Sequence, residues 1–141
     1  MLGVAVVVFF ALLFVSAPYG RHARPGWGPG VPARAGWLFM EAPASLVMLF
    51  AWWWLDLNWV AAVFFLLWQM HYFHRAFIYP FTLRSNRLMP FSVVMMAVVF
   101  NLANASLNAW HFKLHANWYE ADWLYQPNFW LGLILFIAGF I

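Results

Sequence analysis

A chain of 141 residues that is 67% hydrophobic, 23% aromatic and only 8% charged lies far from a soluble domain, in which about a quarter of the residues are charged and about half apolar. Water is therefore not its main solvent. Cysteine is absent, which excludes disulfides, thiolate nucleophiles and Cys-ligated metals and leaves the redox compartment unreadable. The formal charge of +3 rests on seven basic residues; on so apolar a chain these act as topology signals, and nucleic acid is not an expected partner.

Crossing a bilayer core as helix takes about 20 apolar residues, and residues 1–141 read as one membrane domain made of about five such stretches. Leu2 to Val15 is apolar but short, and no basic residue precedes it as a secretory signal requires. It reads as a first helix whose start is expected upstream. From Ser16 to Gly36 run Pro18, Pro25, Pro29 and Pro32 with Gly20, Gly26, Gly28, Gly30 and Gly36, a density that predicts a loop. A loop of that length inside a compact protein is usually functional or disordered.

Three further helices are predicted over Trp37–Leu57, Trp59–Tyr79 and Pro90–Trp110, and a fifth begins near Phe129. The chain stops within that last apolar run at Ile141, so a fragment is expected. Internal repeats, low-complexity tracts and coiled-coil heptads are not found. The expected fold class is all-α, a polytopic membrane helix bundle.

Arg21, Arg24 and Arg34 fall in the first loop, and Arg75, Arg84 and Arg87 lie around the end of the third helix. With the spans above, six of the seven basic residues share one side. The positive-inside rule makes that side cytoplasmic, together with loops 16–36 and 80–90, and places the N-terminus outside, on the lumenal face. Trp52, Trp53, Trp54, Trp59, Trp110, Trp118, Trp123 and Trp130 gather at the opposite ends, as an aromatic belt does.

Few polar side chains interrupt the spans. Glu41 sits about one turn into the second helix among apolar neighbours. Two readings stay open: a desolvated carboxyl that donates a proton or hydrogen bond near neutral pH, or an interfacial carboxylate that reaches headgroup water or pairs with an arginine of the first loop. The segment His71-Tyr72-Phe73-His74-Arg75 through Tyr79-Pro80 closes the third helix. His71, His74, Arg75 and Ile78 fall near one face, and Tyr72 and Tyr79 share another. A tyrosine hydroxyl there can donate to a carbonyl oxygen as negative charge builds on it; the plainer view is an interfacial helix end.

On the fourth helix Asn101, Asn104, Asn108, His111 and His115 recur every three or four residues. That stripe cannot face lipid, so it faces the bundle interior or a wet cavity, where amides also act as glue between helices. Neither His71 with His74 nor His111 with His115 has a carboxylate at ligand spacing, and no metal site is expected.

These residues, in this order, resemble the steroid 5-alpha-reductase family, the 3-oxo-5-alpha-steroid 4-dehydrogenases. The likeness runs through Tyr19-Gly20-Arg21-His22, Pro32-Ala33-Arg34-Ala35-Gly36-Trp37, Glu41-Ala42-Pro43, His71-Tyr72-Phe73-His74-Arg75, Arg84-Ser85-Asn86-Arg87, then Asp122-Trp123 and Pro127 to Gly132. One departure is Asn104-Ala105-Ser106-Leu107-Asn108, with alanine where the family usually has a permissive glycine.

The resemblance implies the N-terminal half of a longer membrane enzyme, with about five of roughly seven helices present. It also implies a reaction. Hydride passes from NADPH to the β carbon of a 3-oxo-Δ4 steroid or similar enone, and the resulting enolate is protonated. Glu41 and Tyr72 match the family's carbonyl-binding pair, Trp37 a wall of the sterol pocket and Asn108 a further substrate contact. Arg84, Arg87 and Asn104 match cofactor-binding positions, most of that site being expected beyond Ile141, so that the fragment alone is expected to be inactive. The implied partners are the lipid bilayer and a steroid-like small molecule. Competing classes are an isoprenylcysteine methyltransferase-like enzyme that uses S-adenosylmethionine, and a non-catalytic membrane scaffold or decayed fragment.

Overall fold

The computed structural model describes residues 6, 7, 9, 10, 13, 14, 26–84, 87–115 and 118–140. Val6, Val7, Phe9, Phe10, Leu13 and Phe14 are helical and exposed. Residues 15–25, which hold much of the expected first loop with Arg21 and Arg24, lie outside the described residues.

The remainder of that loop is more ordered than its composition predicts. Gly30–Pro32 forms strand β1 and pairs antiparallel with β2, Leu88–Pro90, in the register Gly30↔Pro90, Val31↔Met89 and Pro32↔Leu88. The Ala33 N–H donates to Arg87 O at 3.0 Å and the Phe91 N–H to Pro29 O at 2.9 Å, closing the ribbon at both ends. Prolines stop the ladder because they cannot donate to it. Gly30 faces Leu88 so closely that a Cβ would stand 2.9 Å from that of Leu88.

Helix α1, Ala33–Trp54, starts directly after β1, so the loop expected to reach Gly36 ends at Pro32. The reason is packing. Gly36 is buried, and a Cβ there would meet the Met89 sulfur at 3.0 Å; small residues let membrane helices approach this closely. Met40, Glu41, Ala44, Ser45, Met48 and Ala51 continue the buried face at helical spacing.

Helix α2, Trp59–Phe73, opens with Asn58, whose Oδ1 accepts from the Ala61 N–H at 2.9 Å, satisfying one orphan donor of the first turn. It passes without a break into a π-helical segment, His74–Ile78, and a short helix α3, Tyr79–Thr82. The Tyr79 N–H bonds the His74 carbonyl five residues back. Pro80 explains the wide turn, since its ring would collide with the carbonyl four residues earlier in a regular α-helix.

Helix α4, Phe91–His115, runs beyond the predicted Trp110 and takes in both histidines. A 3-10 turn at Ala121–Tyr125 leads into helix α5, Pro127–Phe140.

Both α1 and α4 start from the ribbon, and Arg34 Nη2 reaches the Leu83 carbonyl at 3.0 Å, which brings the end of α3 there as well. At the far end Asn58 Nδ2 donates to Tyr119 O at 2.8 Å, joining the start of α2 to the segment that follows α4. Helices α1 and α4 therefore run one way and α2 the other. The α1–α4 contact is the most extensive, with Met40, Met89 and Val94 forming one apolar cluster near the ribbon. Met48, Ala51 and Phe65 form a second toward the far end.

The outside is apolar. Phe39, Leu46, Phe50, Met96, Val99 and Phe100 are exposed, while Glu41, Ser45 and Asn101 are buried, the arrangement expected when hydrocarbon surrounds the fold. Helices α1 and α4 are each long and apolar enough to cross a membrane, and α5 is apolar but shorter. The described fold is thus mostly helical and of membrane type, with two helices rather than five meeting the full length of a span.

Candidate active site

The site forms where α1, α2 and α4 face one another with their few polar side chains. Glu41 on α1 is only 4% exposed, and a buried carboxylate is tenable only with a partner. Arg75, placed by the π turn, supplies it: Nη2 lies 2.7 Å from Glu41 Oε1. Asn101 on α4 donates to the Met40 carbonyl at 2.6 Å and more weakly to Glu41 Oε2 at 3.4 Å. Arg75 also lies over the Trp37 ring, 5.1 Å from its centroid, and Trp37 packs edge-on against Tyr79. The expected first-loop partner is not used by the described arginine of that loop, since Arg34 turns to Leu83.

Tyr72 lies in a neighbouring network. Its hydroxyl accepts from Asn104 Nδ2 at 3.2 Å, and Asn108 Nδ2 donates to the Asn104 carbonyl at 2.9 Å and to Asn104 Oδ1 at 3.2 Å. The Asn108 bond fixes the amide orientation of Asn104, with oxygen toward Asn108 and nitrogen toward Tyr72. Having accepted this bond, the Tyr72 O–H keeps its proton free to donate; among the described residues nothing accepts it. Trp68 packs against the Tyr72 ring at 4.6 Å and is itself held by a bond from Nε1 to the Ala44 carbonyl at 3.0 Å. One turn away Ser45 and Gln69 exchange two bonds of 2.7 and 3.0 Å, locking α1 to α2.

Tyr72 opens onto a cleft of about 360 Å³ between α2, α4 and α5. Phe64, Leu67, Trp68, Phe112 and Phe136 make its walls apolar, and His71, Tyr72 and Asn108 supply the polar groups. Apolar walls with a few converging polar groups are what a small-molecule site requires.

Of the residues singled out in the sequence, His71, Tyr72 and Asn108 line this cleft, and Asn104 bonds both Tyr72 and Asn108 from behind its wall. Glu41 and Trp37 do not line it; they belong to the adjoining Arg75 cluster. No hydrogen bond joins Glu41 to Tyr72 among the described residues, and the two networks are connected through α4, where Asn101 and Asn104 lie one turn apart. Arg84 and Arg87 are exposed at the ribbon end, away from the cleft. His111 engages the Tyr119 hydroxyl at 3.0 Å, and its ring lies tilted beside that of His115 with centroids 4.6 Å apart. Among the described residues no group of three potential metal ligands assembles.

Sequence reasoning missed the Glu41–Arg75 pairing and the lock between Ser45 and Gln69. Arg75 could have been found, because it is the one arginine inside a predicted span and a buried carboxylate needs a cation. Nothing in the local pattern of Ser45 or Gln69 announces their contact.

No family model matches the chain. Curated relatives do. The chain is 34% identical over 142 residues to steroid 5-alpha-reductase DET2 of Gossypium hirsutum, covering 96% of this chain and 55% of that protein. It is 32% identical to 3-oxo-5-alpha-steroid 4-dehydrogenase 1 of Bos taurus, again covering 96% and 55%. The corresponding protein of Homo sapiens is 32% identical over 145 residues, with 98% and 54% covered. The chain spans about half the length of the curated relatives it matches. Along the half of those proteins that it spans, the chain is similar in sequence to the steroid 5-alpha-reductases, the 3-oxo-5-alpha-steroid 4-dehydrogenases.

Proposed function

We propose that the full-length protein is a membrane-bound oxidoreductase that reduces the C=C bond of a 3-oxo-Δ4 steroid or a similar enone with NADPH. The observation that carries this reading is the Tyr72 hydroxyl, held by Asn104 with its proton still free, at the polar end of an apolar cleft. A rigid apolar ketone entering that cleft meets a positioned donor. As the carbonyl gains charge during reduction the bond strengthens, which is what accelerates such a step.

Glu41, expected as the second member of a carbonyl-binding pair, stands beside the cleft with Arg75 and not in its wall. Its carboxylate is tied to Arg75, so donation of a proton by Glu41 requires that pair to open, and without opening its part is electrostatic. Trp37 stands with Arg75 in the same cluster and shapes the approach to Glu41.

Bound NADPH would supply the hydride. Among the positions proposed for it, Arg84 and Arg87 fit the phosphates by charge and exposure. Asn104 is committed to Tyr72 and Asn108, so we assign it to holding Tyr72. A cleft of about 360 Å³ lies at the low end for ligand sites and takes one ring system, not a dinucleotide as well. Residues 1–141 expressed alone are accordingly proposed not to turn over.

The proposed topology has about five spans, the N-terminus outside, and the ribbon end with Arg34, Arg84 and Arg87 in the cytoplasm. Its support is charge: those arginines cluster at the ribbon, whereas among the described residues Lys113 is the one Lys or Arg toward the other end. The test of function is single-turnover reduction of a 3-oxo-Δ4 steroid by the full-length protein in membranes. Retention of NADPH after purification supports the reductase; retention of S-adenosylmethionine points to a methyltransferase.

A further inference from the structure

Enone reduction consumes a hydride and a proton, and the groups above account for the carbonyl oxygen without supplying that proton. Tyr72 is occupied at the carbonyl, and Glu41 is locked to Arg75 outside the cleft. Asn108 cannot titrate, and its amide nitrogen is spent on Asn104. His71 is the remaining polar group in the cleft wall. Its ring stands edge-on to Tyr72 with centroids 5.0 Å apart and is flanked by Phe136 and Phe140 of α5 at 6.1 and 6.2 Å. Among the described residues neither ring nitrogen has a hydrogen-bond partner, neither is fully buried, and the side chain belongs to the cleft wall. An imidazole is also the side chain whose unperturbed proton exchange falls near neutral pH.

We propose that His71 is the catalytic acid that protonates the α carbon of the substrate enolate. This rests on the reductase reading given above. Bound NADPH would supply the hydride to the β carbon, and as the C=C electrons move onto the carbonyl Tyr72 holds the enolate oxygen. The His71 N–H proton then passes to the α carbon, the enolate electrons form the new C–H bond, and the C=O bond is restored. The imidazole regains its proton from solvent. Nicotinamide is oxidised and the enone reduced by two electrons, so the step balances. Placement favours it, because the α carbon is bonded to the carbonyl carbon and its acid must stand beside the carbonyl donor. His71 and Tyr72 are consecutive on α2 and line one cleft. The charged and titratable groups about His71 are Tyr72, His74 and Arg75 on its own helical run and Glu41 from α1; α4 and α5 face it with Asn108, Phe136 and Phe140.

The test runs the proton step backwards and needs no cofactor. Full-length protein in D2O, given the saturated 3-ketone product, should exchange hydrogen for deuterium at the α carbon, read by mass spectrometry. His71→Gln should lower that exchange at least about 100-fold, the lower end of what a general acid or base contributes, and should remove the step that the wild-type pH profile shows at acid to neutral pH. Exchange in His71→Gln within threefold of wild type overturns the proposal. So does a wild-type profile that shows no step at acid to neutral pH, a measurement that does not depend on the variant folding. Failure of the wild-type protein to reduce any 3-oxo-Δ4 enone would instead remove the reductase reading itself.

Discussion

Arg75 Nη2 and Glu41 Oε1 meet at 2.7 Å between the π-helical segment and α1, with 6% of the Glu41 side chain exposed and 40% of Arg75. The pair exists because the π turn ahead of Pro80 carries Arg75 round to face α1. Removing one partner strands a buried charge. Fully buried pairs cost about 3–5 kcal/mol when broken this way, and the exposure of Arg75 reduces the expected loss for Arg75→Gln to about 1–3 kcal/mol. Thermal unfolding in detergent of Arg75→Gln, Glu41→Gln and the double variant measures it. The double variant should lose less than the two single losses added; strict additivity would mean that the pair does not act as one.

Asn104 is expected to matter through Tyr72. Asn104→Ala removes the bond that orients the hydroxyl, and a neutral hydrogen bond of about 1 kcal/mol corresponds to roughly a 5- to 10-fold lower kcat. Asn108→Ala, one bond further back, should cost less. Equal effects from both would argue that Asn108 contacts substrate directly.

The orientation can be measured without removing native thiols, because the chain has no cysteine. Cysteines introduced at Trp27 and Arg84 should react with an impermeant reagent from the cytoplasmic side, and one at Glu120 only from the lumenal side. The reverse pattern contradicts the proposed topology.

The helices were legible from long apolar runs, and the α4 stripe of Asn101, Asn104 and Asn108 from its period. The ribbon was not. Its strands, Gly30–Pro32 and Leu88–Pro90, are three residues each and rich in Gly and Pro, and they pair across a long stretch of sequence that no local pattern connects. Gly36 misled for a related reason: glycine marks a loop in water, but here it lets α1 approach Met89. The site was half legible. Tyr72 and Asn108 stand out as polar residues in apolar runs, whereas the separation of Glu41 from the cleft depends on Arg75, whose direction is set by the π turn.

The most direct test of the account is Tyr72→Phe in the full-length protein, which keeps the ring against Trp68 and deletes only the donor. Single-turnover reduction of a 3-oxo-Δ4 steroid at saturating NADPH should slow about 100- to 1000-fold, the scale of losing one oxyanion donor, with NADPH affinity nearly unchanged. Retention of more than about a third of the wild-type rate, a loss below roughly 0.7 kcal/mol, would contradict the role assigned to Tyr72.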